Sequence, residues 1–310
     1  MDIFDVLVIG RSCLDYIAVV EQFPAENQKV PLEFRLTEGG GQGGTAACCI
    51  SRLGGRVVYV GRLGDDDEGR FCLQRLADFG VGTEYIERVK GGKTPVAYVF
   101  VTRATGDRTI VFERNSLPKI TVSPDLIKVV NLADVILLDP EVTYLGRELN
   151  TQAGNNTRIV YDCERWRDGI EDMMDVADFF IPSSVFLESE QLNFDRDSIG
   201  RRMFRLKEMI RGELIVTNGK DGAYYIHGNR LYHVAAPRVN AIDTIGAGDN
   251  FHAAFTLALS KGFDLHQSVK FSVAVASLSC RDYGGRKGIP DWEEAVAAAD
   301  QLEMKTVDSP

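Results

Sequence analysis

Short apolar runs and amphipathic segments alternate along most of this chain, which predicts an α/β protein. The run over residues 5–9 is apolar and rich in β-branched residues, and it ends at Gly10, as expected of a buried strand. From residue 123 onward, strand-like runs alternate with helical segments across short connections. This alternation predicts a mostly parallel sheet covered by helices.

The apolar spacing also predicts where the elements lie. Predicted strands cover residues 5–9, 57–60, 134–138, 159–161, 179–181 and 214–217, with a hairpin over 223–226 and 231–234. Predicted helices cover residues 46–53, 142–153, 170–176, 198–210, 265–280 and 291–303, and one more ends at Phe79 before Gly80.

Three β-rich runs, at 85–86, 94–101 and 109–112, fall outside the alternating pattern. The last two are joined by Ala104-Thr105-Gly106-Asp107, which predicts a hairpin. We assign these runs to a small β lid formed from about 12–37 and 85–114, able to close over a ligand and exclude water.

The stretch Asp243-Thr244-Ile245-Gly246-Ala247-Gly248-Asp249 is small, polar and glycine-rich, and it leads into an apolar helical segment. A loop that enters a helix presents unpaired N–H groups and the positive end of the helix dipole, and both favour an anion. Asp249 could be the N-cap of this helix. It could equally be the base for an attacking hydroxyl in phosphoryl transfer, with the neighbouring N–H groups stabilising the transferred group.

A second glycine-rich loop, residues 39–45, contains five glycines and matches G-x-G-x-x-G at 39, 41 and 44. Some thirty residues separate it from the first strand, so it fails as a dinucleotide fingerprint. It is either a flexible turn or a place where the backbone approaches a ligand closely. No G-x-x-x-x-G-K-[ST] motif is present, so a nucleotide would have to be held by other means.

The composition narrows the possible partners. A net charge of −10 argues against a nucleic acid or an anionic membrane as the main partner. We expect a cytoplasmic protein, since no apolar run is long enough to span a bilayer and no basic leader precedes the first strand. The six cysteines form no C-x-x-C pair, and the four histidines show no ligand spacing, so structural zinc is not expected.

The motifs as a set resemble the ribokinase, or PfkB, family of carbohydrate and nucleoside kinases. The stretch Asp243–Asp249 resembles that family's second signature, and Gly40-Gly41-Gln42-Gly43-Gly44-Thr45-Ala46-Ala47 resembles its first. The resemblance extends over nearly the whole chain and implies a single ribokinase-like domain over 1–310, with a three-layer αβα fold and a small β lid. It implies an ATP-dependent sugar kinase.

The resemblance also implies roles for individual residues. Asp249 would be the general base, and Gly246, Ala247 and Gly248 would stabilise the transferred phosphoryl group. Three further sets are implied: Asp15, Gly40, Gly41, Gln42 and Thr45 for the sugar; Thr217, Gly219, Gly222 and Ser183 for ATP; and Asp243, Ile245, Ser279 and Gly284 for a monovalent cation, K⁺.

Three positions depart from the family pattern. Thr45 and Cys13 stand where the family often has asparagine, and Ser183-Ser184-Val185-Phe186 replaces an N-x-x-E motif linked to Mg²⁺. We therefore expect Mg²⁺ to be held mainly by ATP phosphates and waters. The departures affect the expected substrate more than the expected reaction.

Within the family, several stretches look most like the subgroup that contains sulfofructose kinase, in which the position of Lys29 helps to bind an anionic head group. Asp139-Pro140-Glu141 stands where that enzyme has an arginine, and Phe112 stands in place of an asparagine. A carboxylate at Glu141 would repel an anion and accept bonds from neutral hydroxyls. This favours a neutral ketohexose or pentose, although Lys29, Arg108 and Arg114 keep a sugar phosphate or sulfofructose possible.

Other functions remain open on the sequence alone. A nucleoside kinase would need an aromatic wall, for which Tyr98, Phe100 and Phe112 are candidates. A non-catalytic sugar or nucleotide sensor and an unrelated dinucleotide enzyme are alternatives of a different class. Exposed edges of the β lid also predict a homodimer formed through it.

Overall fold

The computed structural model describes residues 4–114, 116–152, 157–194 and 197–307. Its main sheet has ten strands among these residues, in the order β14-β13-β12-β11-β10-β9-β8-β1-β4-β5. The seven strands from β11 to β5 pair in parallel, and β12, β13 and β14 extend the sheet antiparallel at one edge. The mostly parallel sheet expected from the alternating pattern is confirmed.

The main-sheet strands are β1 (Val6–Ile9), β4 (Val57–Gly64), β5 (Gly82–Val89), β8 (Val135–Leu138), β9 (Arg158–Cys163), β10 (Phe179–Pro182), β11 (Glu213–Thr217), β12 (Ala223–His227), β13 (Arg230–Val234) and β14 (Met304–Val307). The helices are α1 (Gln42–Arg52), α2 (Asp67–Asp78), α3 (Pro124–Val130), α4 (Gly146–Gln152), α5 (Ile170–Val176), α6 (Ile199–Lys207), α7 (Ala247–Ser260), α8 (Leu265–Ser279) and α9 (Trp292–Asp300).

The sheet separates two apolar cores, which gives three layers. Side chains along β1 alternate between them: Val6 and Val8 pack with α1, α7, α8 and α9, whereas Leu7 and Ile9 pack with α3 to α6. All four are fully buried, as expected for a central parallel strand that is covered on both faces.

The lid is a separate four-stranded sheet in the order β3-β2-β6-β7, formed by β2 (Cys13–Val20), β3 (Phe34–Gly40), β6 (Val96–Thr102) and β7 (Arg108–Phe112). The predicted hairpin is present, since β6 and β7 pair antiparallel. The predicted second lid segment begins too early at 85, because β5 pairs in parallel with β4 and lies at the edge of the main sheet. Half-buried side chains on both faces made β5 look like a lid strand.

Some element boundaries also differ from those predicted. Helix α1 begins at Gln42, inside the glycine loop, rather than at 46. The predicted helix over 142–153 is a 3₁₀ segment, Pro140–Leu145, followed by α4, and its last residue lies outside the described part of the chain. Strand β14 was not predicted, because its residues are mostly exposed and show no apolar alternation.

Candidate active site

Asp249 lies in the first turn of α7, but it does not cap the helix. The N-cap is Gly246, which adopts a left-handed conformation with φ of 71°. This leaves the Asp249 carboxylate available at the entrance of the helix. The reading of Asp249 as an N-cap is therefore wrong. The first N–H groups of α7 have no partner within the helix, and Ala247 N donates to the Thr244 carbonyl in the preceding loop at 3.4 Å.

The second signature packs directly against the loop at 284–285. A Cβ atom on Gly246 would lie 2.8 Å from Cα of Gly285 and 3.2 Å from the Thr45 methyl group. Asn250 Nδ2 donates to the Gly285 carbonyl at 2.9 Å. Thr45 is buried. The structure thus brings together the two signature loops and the loop at 284–285.

The Asp249 carboxyl group lies in a poorly solvated, acidic environment. Burial, together with the nearby Asp162 carboxylate, raises the pKa of Asp249 to about 7, while His252 and Arg108 act in the opposite direction. A carboxylate with a pKa near neutral pH is a stronger base than an ordinary aspartate, so it is better matched to taking a proton from an alcohol.

His252, one turn after Asp249, was not singled out from the sequence. Its Nδ1 lies 2.7 Å from the Gly248 carbonyl, and its Nε2 lies 3.0 Å from the Ile181 carbonyl and 3.5 Å from Asp162 Oδ1. These contacts connect the start of α7 to the ends of β9 and β10. The spacing of three residues from Asp249 on one helix was the available signal.

The first glycine loop lies against Asp15 on β2. A Cβ atom on Gly40 would lie 2.1 Å from Asp15 Oδ2, so glycine is required for this close approach. Cys13 Sγ donates to Asp15 Oδ1 at 3.2 Å. Burial raises the pKa of Asp15 to about 6, against the opposing effects of Cys13 and the buried Arg286 guanidinium. Gly41, with φ of 82°, is the N-cap of α1.

Glu141 follows β8, as expected, and its carboxylate has two arginine neighbours. Its Oε1 lies 3.3 Å from Arg167 NH1 and 3.6 Å from Arg11 NH1. Two guanidinium groups therefore face this carboxylate, and Arg167 NH2 also lies 3.6 Å from Glu164 Oε2. Gln42 Nε2 donates to Glu164 Oε2 at 3.4 Å.

The predicted nucleotide residues lie at the ends of neighbouring strands. Ser183, directly after β10, and Thr217, the last residue of β11, form an isolated parallel bridge. Gly219 and Gly222 belong to the turn before β12, with φ of 53° and 92°, and Asn218 N donates to the Gly222 carbonyl at 2.7 Å. These residues form one edge at the carboxyl ends of the strands, where open α/β sheets bind ligands.

Asp243 connects three of the four residues predicted for a monovalent cation. Its Oδ1 accepts from Ile245 N and its Oδ2 from Gly284 N, both at 2.9 Å. Burial raises the pKa of Asp243 despite these hydrogen bonds. No lysine or arginine of the described residues lies within 4 Å of it. The Ser279 carbonyl would lie 2.2 Å from a Cβ atom on Gly288 in the same loop.

Two predicted groups lie away from these loops. Lys29 is exposed on the connection between β2 and β3. Tyr98 and Phe100 lie on the outer face of the lid. Val99 and Val101, which alternate with them along β6, pack inward with Ile245. Only Phe112 of the three candidate aromatics is on the inner face, with Arg11 CZ 6.0 Å from its ring centre. The aromatic wall expected for a nucleoside is therefore incomplete.

The comparisons with known proteins decide the family. Residues 4–292 match the model of the pfkB family of carbohydrate kinases. The chain belongs to this family. It is therefore a phosphotransferase that acts on a sugar hydroxyl. The narrower resemblance to the sulfofructose kinase subgroup is not shown by the comparisons and stays a prediction.

Individual pfkB-family relatives are distant but match over almost the full length. The chain is 27% identical to a ribokinase of Bacillus subtilis over 94% of its length and 97% of the relative's. It is also 27% identical to a nucleoside kinase of Methanothermobacter thermautotrophicus, over 94% of each chain. The structure of Arabidopsis thaliana ribokinase complexed with ribose and ATP superposes with a TM-score of 0.79 at 23% identity, covering 96% of this chain and 99% of that one.

Two features are absent from the described residues. None of their helices is both long and apolar enough to cross a membrane. They also contain no cluster of three or more His, Cys, Asp or Glu side chains that could hold a metal ion.

Proposed function

We propose that this kinase transfers the γ-phosphoryl group of ATP to a hydroxymethyl group of a monosaccharide, a ketohexose or a pentose. The observation that carries the proposal is the position of Asp249 in the first turn of α7, at the N-terminus of the helix, with its pKa raised to about 7. A base and an anion site within one helical turn are what phosphoryl transfer to an alcohol requires.

The reaction assigns a separate task to each part of this turn. Asp249 accepts the hydroxyl proton as the bond from sugar oxygen to γ-phosphorus forms and the bond to ADP oxygen breaks. The N–H groups of Gly246, Ala247 and Gly248 stabilise charge on the transferred group, as a helix N-terminus does for anions. Asp15, Gly40, Gly41, Gln42, Thr45 and Glu141 form the wall that positions the sugar, and Lys29 reaches it only if its exposed loop folds inward.

The nucleotide is placed along Ser183, Thr217, Gly219 and Gly222. The related Arabidopsis ribokinase structure was solved with ribose and ATP, which supports a nucleotide in this fold. Since the described residues contain no carboxylate cluster for a metal, Mg²⁺ would be held by the ATP phosphates and waters. Mg²⁺ would neutralise phosphate charge there. The buried Asp243 carboxylate, which has no cationic side chain within 4 Å among the described residues, fits a K⁺ ion.

The test is ADP release with Mg·ATP and K⁺ across neutral sugars, sugar phosphates, a sulfosugar, sugar acids and nucleosides. Sugar-dependent ADP release supports the proposal. Preferential turnover of a nucleoside would favour a nucleoside kinase. Binding of a sugar without any ADP release would favour a sensor, and turnover that needs a dinucleotide in place of ATP would overturn the kinase altogether.

We also propose that two copies associate through the outer face of the lid. Tyr16 and Tyr98 stack there at 5.6 Å, and they are exposed by 39% and 48%, with Val111 beside them exposed by 58%. A continuous apolar face of this kind on a sheet favours a partner surface. Light scattering should give a dimer mass, and Tyr98→Lys should give a monomer. A monomer at working concentration for the unmodified chain would remove the proposal.

A further inference from the structure

Arg286 is the largest of the fully buried side chains among the described residues, with 2% of its surface exposed. It lies in the loop after α8 and directly follows Gly285, which contacts Gly246 and accepts from Asn250 Nδ2. Two of its donors, Nε and Nη1, are buried and have no hydrogen-bond partner among the described residues. Burial of a guanidinium in this way is costly, and proteins tolerate such costs mainly at functional sites.

The guanidinium group of Arg286 occupies the space that side chains on the first glycine loop would need. A Cβ atom on Gly39 would lie 2.5 Å from Arg286 Nη1 and 3.1 Å from its Cζ, and no other residue comes as close. A Cβ atom on Gly44 would lie 2.9 Å from Arg286 Nη2. Two of the three glycines that match G-x-G-x-x-G therefore face an arginine of this chain.

The same guanidinium group also fixes the peptide between Gly40 and Gly41. Arg286 Nη2 donates to the Gly40 carbonyl at 3.0 Å, and Ser12 Oγ donates to it at 3.2 Å. In a trans peptide the N–H group points away from the C=O group, so these two bonds also set the direction of the Gly41 N–H. Arg286 thus determines the backbone conformation of the loop as well as the residues it can contain.

Asp15 lies on the opposite face of the loop from the Arg286 guanidinium. Gly39 and Gly40 are the last two residues of β3, and successive Cβ positions of a strand point to opposite faces. The Cβ position of Gly39 points at Arg286, whereas that of Gly40 would lie 2.1 Å from Asp15 Oδ2. Burial raises the pKa of Asp15 to about 6, and the charge of Arg286 opposes this rise. Arg286 therefore favours the ionised form of Asp15, which accepts hydrogen bonds from hydroxyl groups.

Arg286 is also the cation near Asp15 that is least engaged with other carboxylates. Six further charged or titratable groups face Asp15 or Arg286 from the neighbouring elements: Arg11, Cys13, Glu38, Cys48, Tyr59 and Cys72. Burial raises the pKa of the three thiols and of the phenol, so these four stay neutral. Glu38 pairs with Arg75 at 2.9 Å, and Arg11 lies 3.6 Å from Glu141. No carboxylate of the described residues lies within 4 Å of Arg286.

We infer that Arg286 is a positioning residue of the sugar site, which shapes the Gly39–Gly44 loop from the face opposite to Asp15 and keeps Asp15 ionised. The inference rests on the proposed function, which assigns Asp15 and Gly40 to the sugar wall, and adds a residue behind that wall. Arg286 also connects the wall to the start of α7, because the adjacent Gly285 contacts Gly246.

The packing of Arg286 against Gly39 is tested by a double-mutant cycle that needs no substrate. Gly39→Ala should raise the equilibrium constant for unfolding in urea by about 10-fold or more, because the new methyl group displaces the guanidinium. The same substitution in an Arg286→Ala chain should raise it less than about threefold. Gly40→Ala is the matched control, since its Cβ atom faces Asp15, and its effect should be equal in both chains.

Additive effects of Gly39→Ala and Arg286→Ala would overturn the inference, whichever substrate the enzyme uses. If Gly39→Ala does not fold, Arg286→Ala should restore its folding, and failure to do so would also overturn it. Arg286→Lys gives a second background, in which the cost of Gly39→Ala should be intermediate.

The role in sugar binding is tested by steady-state kinetics with D-ribose and D-fructose, a pentose and a ketohexose. Arg286→Met should raise the KM for the sugar by about 10- to 100-fold and lower kcat less than about threefold, because the wall is disturbed and the base is not. Lys287→Met is the matched control: it removes a charge from the adjacent, exposed residue and should leave KM unchanged. An unchanged KM in Arg286→Met would overturn the inference. No ADP release from any sugar would overturn the proposed function, while the double-mutant cycle would still decide the packing of Arg286.

The pH dependence of sugar affinity separates the charge of Arg286 from its shape. In calorimetric titration of the same sugars without ATP, affinity should fall as pH falls through about 6, because a protonated Asp15 accepts fewer hydrogen bonds. Arg286→Met removes a charge that lowers this pKa, so the fall should begin at least about half a pH unit higher. Arg286→Lys keeps the charge and should leave the midpoint in place while only partly restoring affinity. An unmoved midpoint in Arg286→Met would overturn the role of Arg286 in the ionisation of Asp15.

Discussion

Arg108 on the lid donates a hydrogen bond of 2.7 Å to the hydroxyl group of Thr244, two residues before the N-cap of α7. The side chain lies on the inner face of β7, since its partner in the register is the buried Val101. Its charge acts to lower the pKa of Asp249. Arg108 therefore connects the lid to the loop that precedes α7.

The first prediction concerns how this arginine sets the pH dependence. Asp249 must be ionised to take a proton, so kcat/KM should rise with pH through about 7, following its pKa. Arg108→Gln removes a charge that lowers this pKa, so the acid limb should move to higher pH. Asp162→Asn removes a charge that raises it, so the limb should move to lower pH.

The control for this pair is Thr244→Val, which loses the hydrogen bond but keeps the charge of Arg108. Its acid limb should stay in place. Profiles of kcat/KM between pH 5 and 9 give the pKa of the acid limb for the unmodified enzyme and for each of the three variants. A shift of both charge variants in the same direction would show that Asp249 is not the titrating group.

The second prediction concerns Asp249 itself. Asp249→Asn keeps the shape of the side chain and removes the base, so kcat should fall by about 100- to 10,000-fold. The dissociation constant of ATP should change little, because the carboxylate acts on the attacking hydroxyl. Steady-state kinetics and nucleotide titration measure the two effects separately. Turnover close to that of the unmodified enzyme would remove the role assigned to Asp249.

The same substitution should stabilise the protein at alkaline pH. The pKa of Asp249 is about 7 in the folded chain against an ordinary value of 3.8. Folding therefore favours the protonated form: stability is fully present below pH about 4 and is lost as pH rises toward 7. Asp249→Asn should raise the melting temperature at pH 8 and change it less at pH 4.5. An equal change at both pH values would contradict the raised pKa.

The second signature indicated from sequence alone that a glycine-rich loop leads into a buried helix, because its glycines and the apolar helix after it are contiguous. Glu141 illustrates the opposite case. Its position after β8 could be predicted, but its partners Arg11 and Arg167 lie 130 residues before it and 26 after it. Its electrostatic environment exists only once β1, β8 and the segment after β9 lie side by side.

The prediction of the lid boundary was wrong for a related reason. Residues 85–86 are β-rich like the lid runs, and only the parallel pairing with β4 assigns β5 to the main sheet. Pairing of this kind is non-local and leaves no mark in a short window of sequence. The Asp66 cap of α2, in contrast, is local, because its carboxylate accepts from Gly69 N only three residues later.

A fourth prediction contrasts two glycines of the site. Gly248 is exposed, and a Cβ atom there would meet no heavy atom within 4 Å. Gly248→Ala should therefore fold and be more stable by about 0.5 kcal/mol from helix propensity. The added methyl group should nevertheless lower kcat/KM, because it occupies space for the bound substrates.

Gly40→Ala should behave differently, because its Cβ atom would lie 2.1 Å from Asp15 Oδ2. Displacement of that carboxylate should raise the KM for sugar more than it lowers kcat. Thermal melting and steady-state kinetics on both variants separate the two effects. Full activity of Gly248→Ala would place the substrates away from the start of α7.

The last prediction concerns the buried carboxylate of Asp243. Its two oxygens hold Ile245 and Gly284 through their N–H groups, while no lysine or arginine of the described residues lies within 4 Å to balance its charge. A monovalent cation held by this loop would supply that balance and fix the loop that contacts Gly246. We expect K⁺ to raise kcat and the melting temperature at constant ionic strength set with tetramethylammonium. Asp243→Asn should abolish both responses, whereas Asp282→Asn, which affects an exposed pair with Lys287 nearby, should retain them. Equal rates and equal melting temperatures in the two salts would show that the Asp243 charge is carried without a cation.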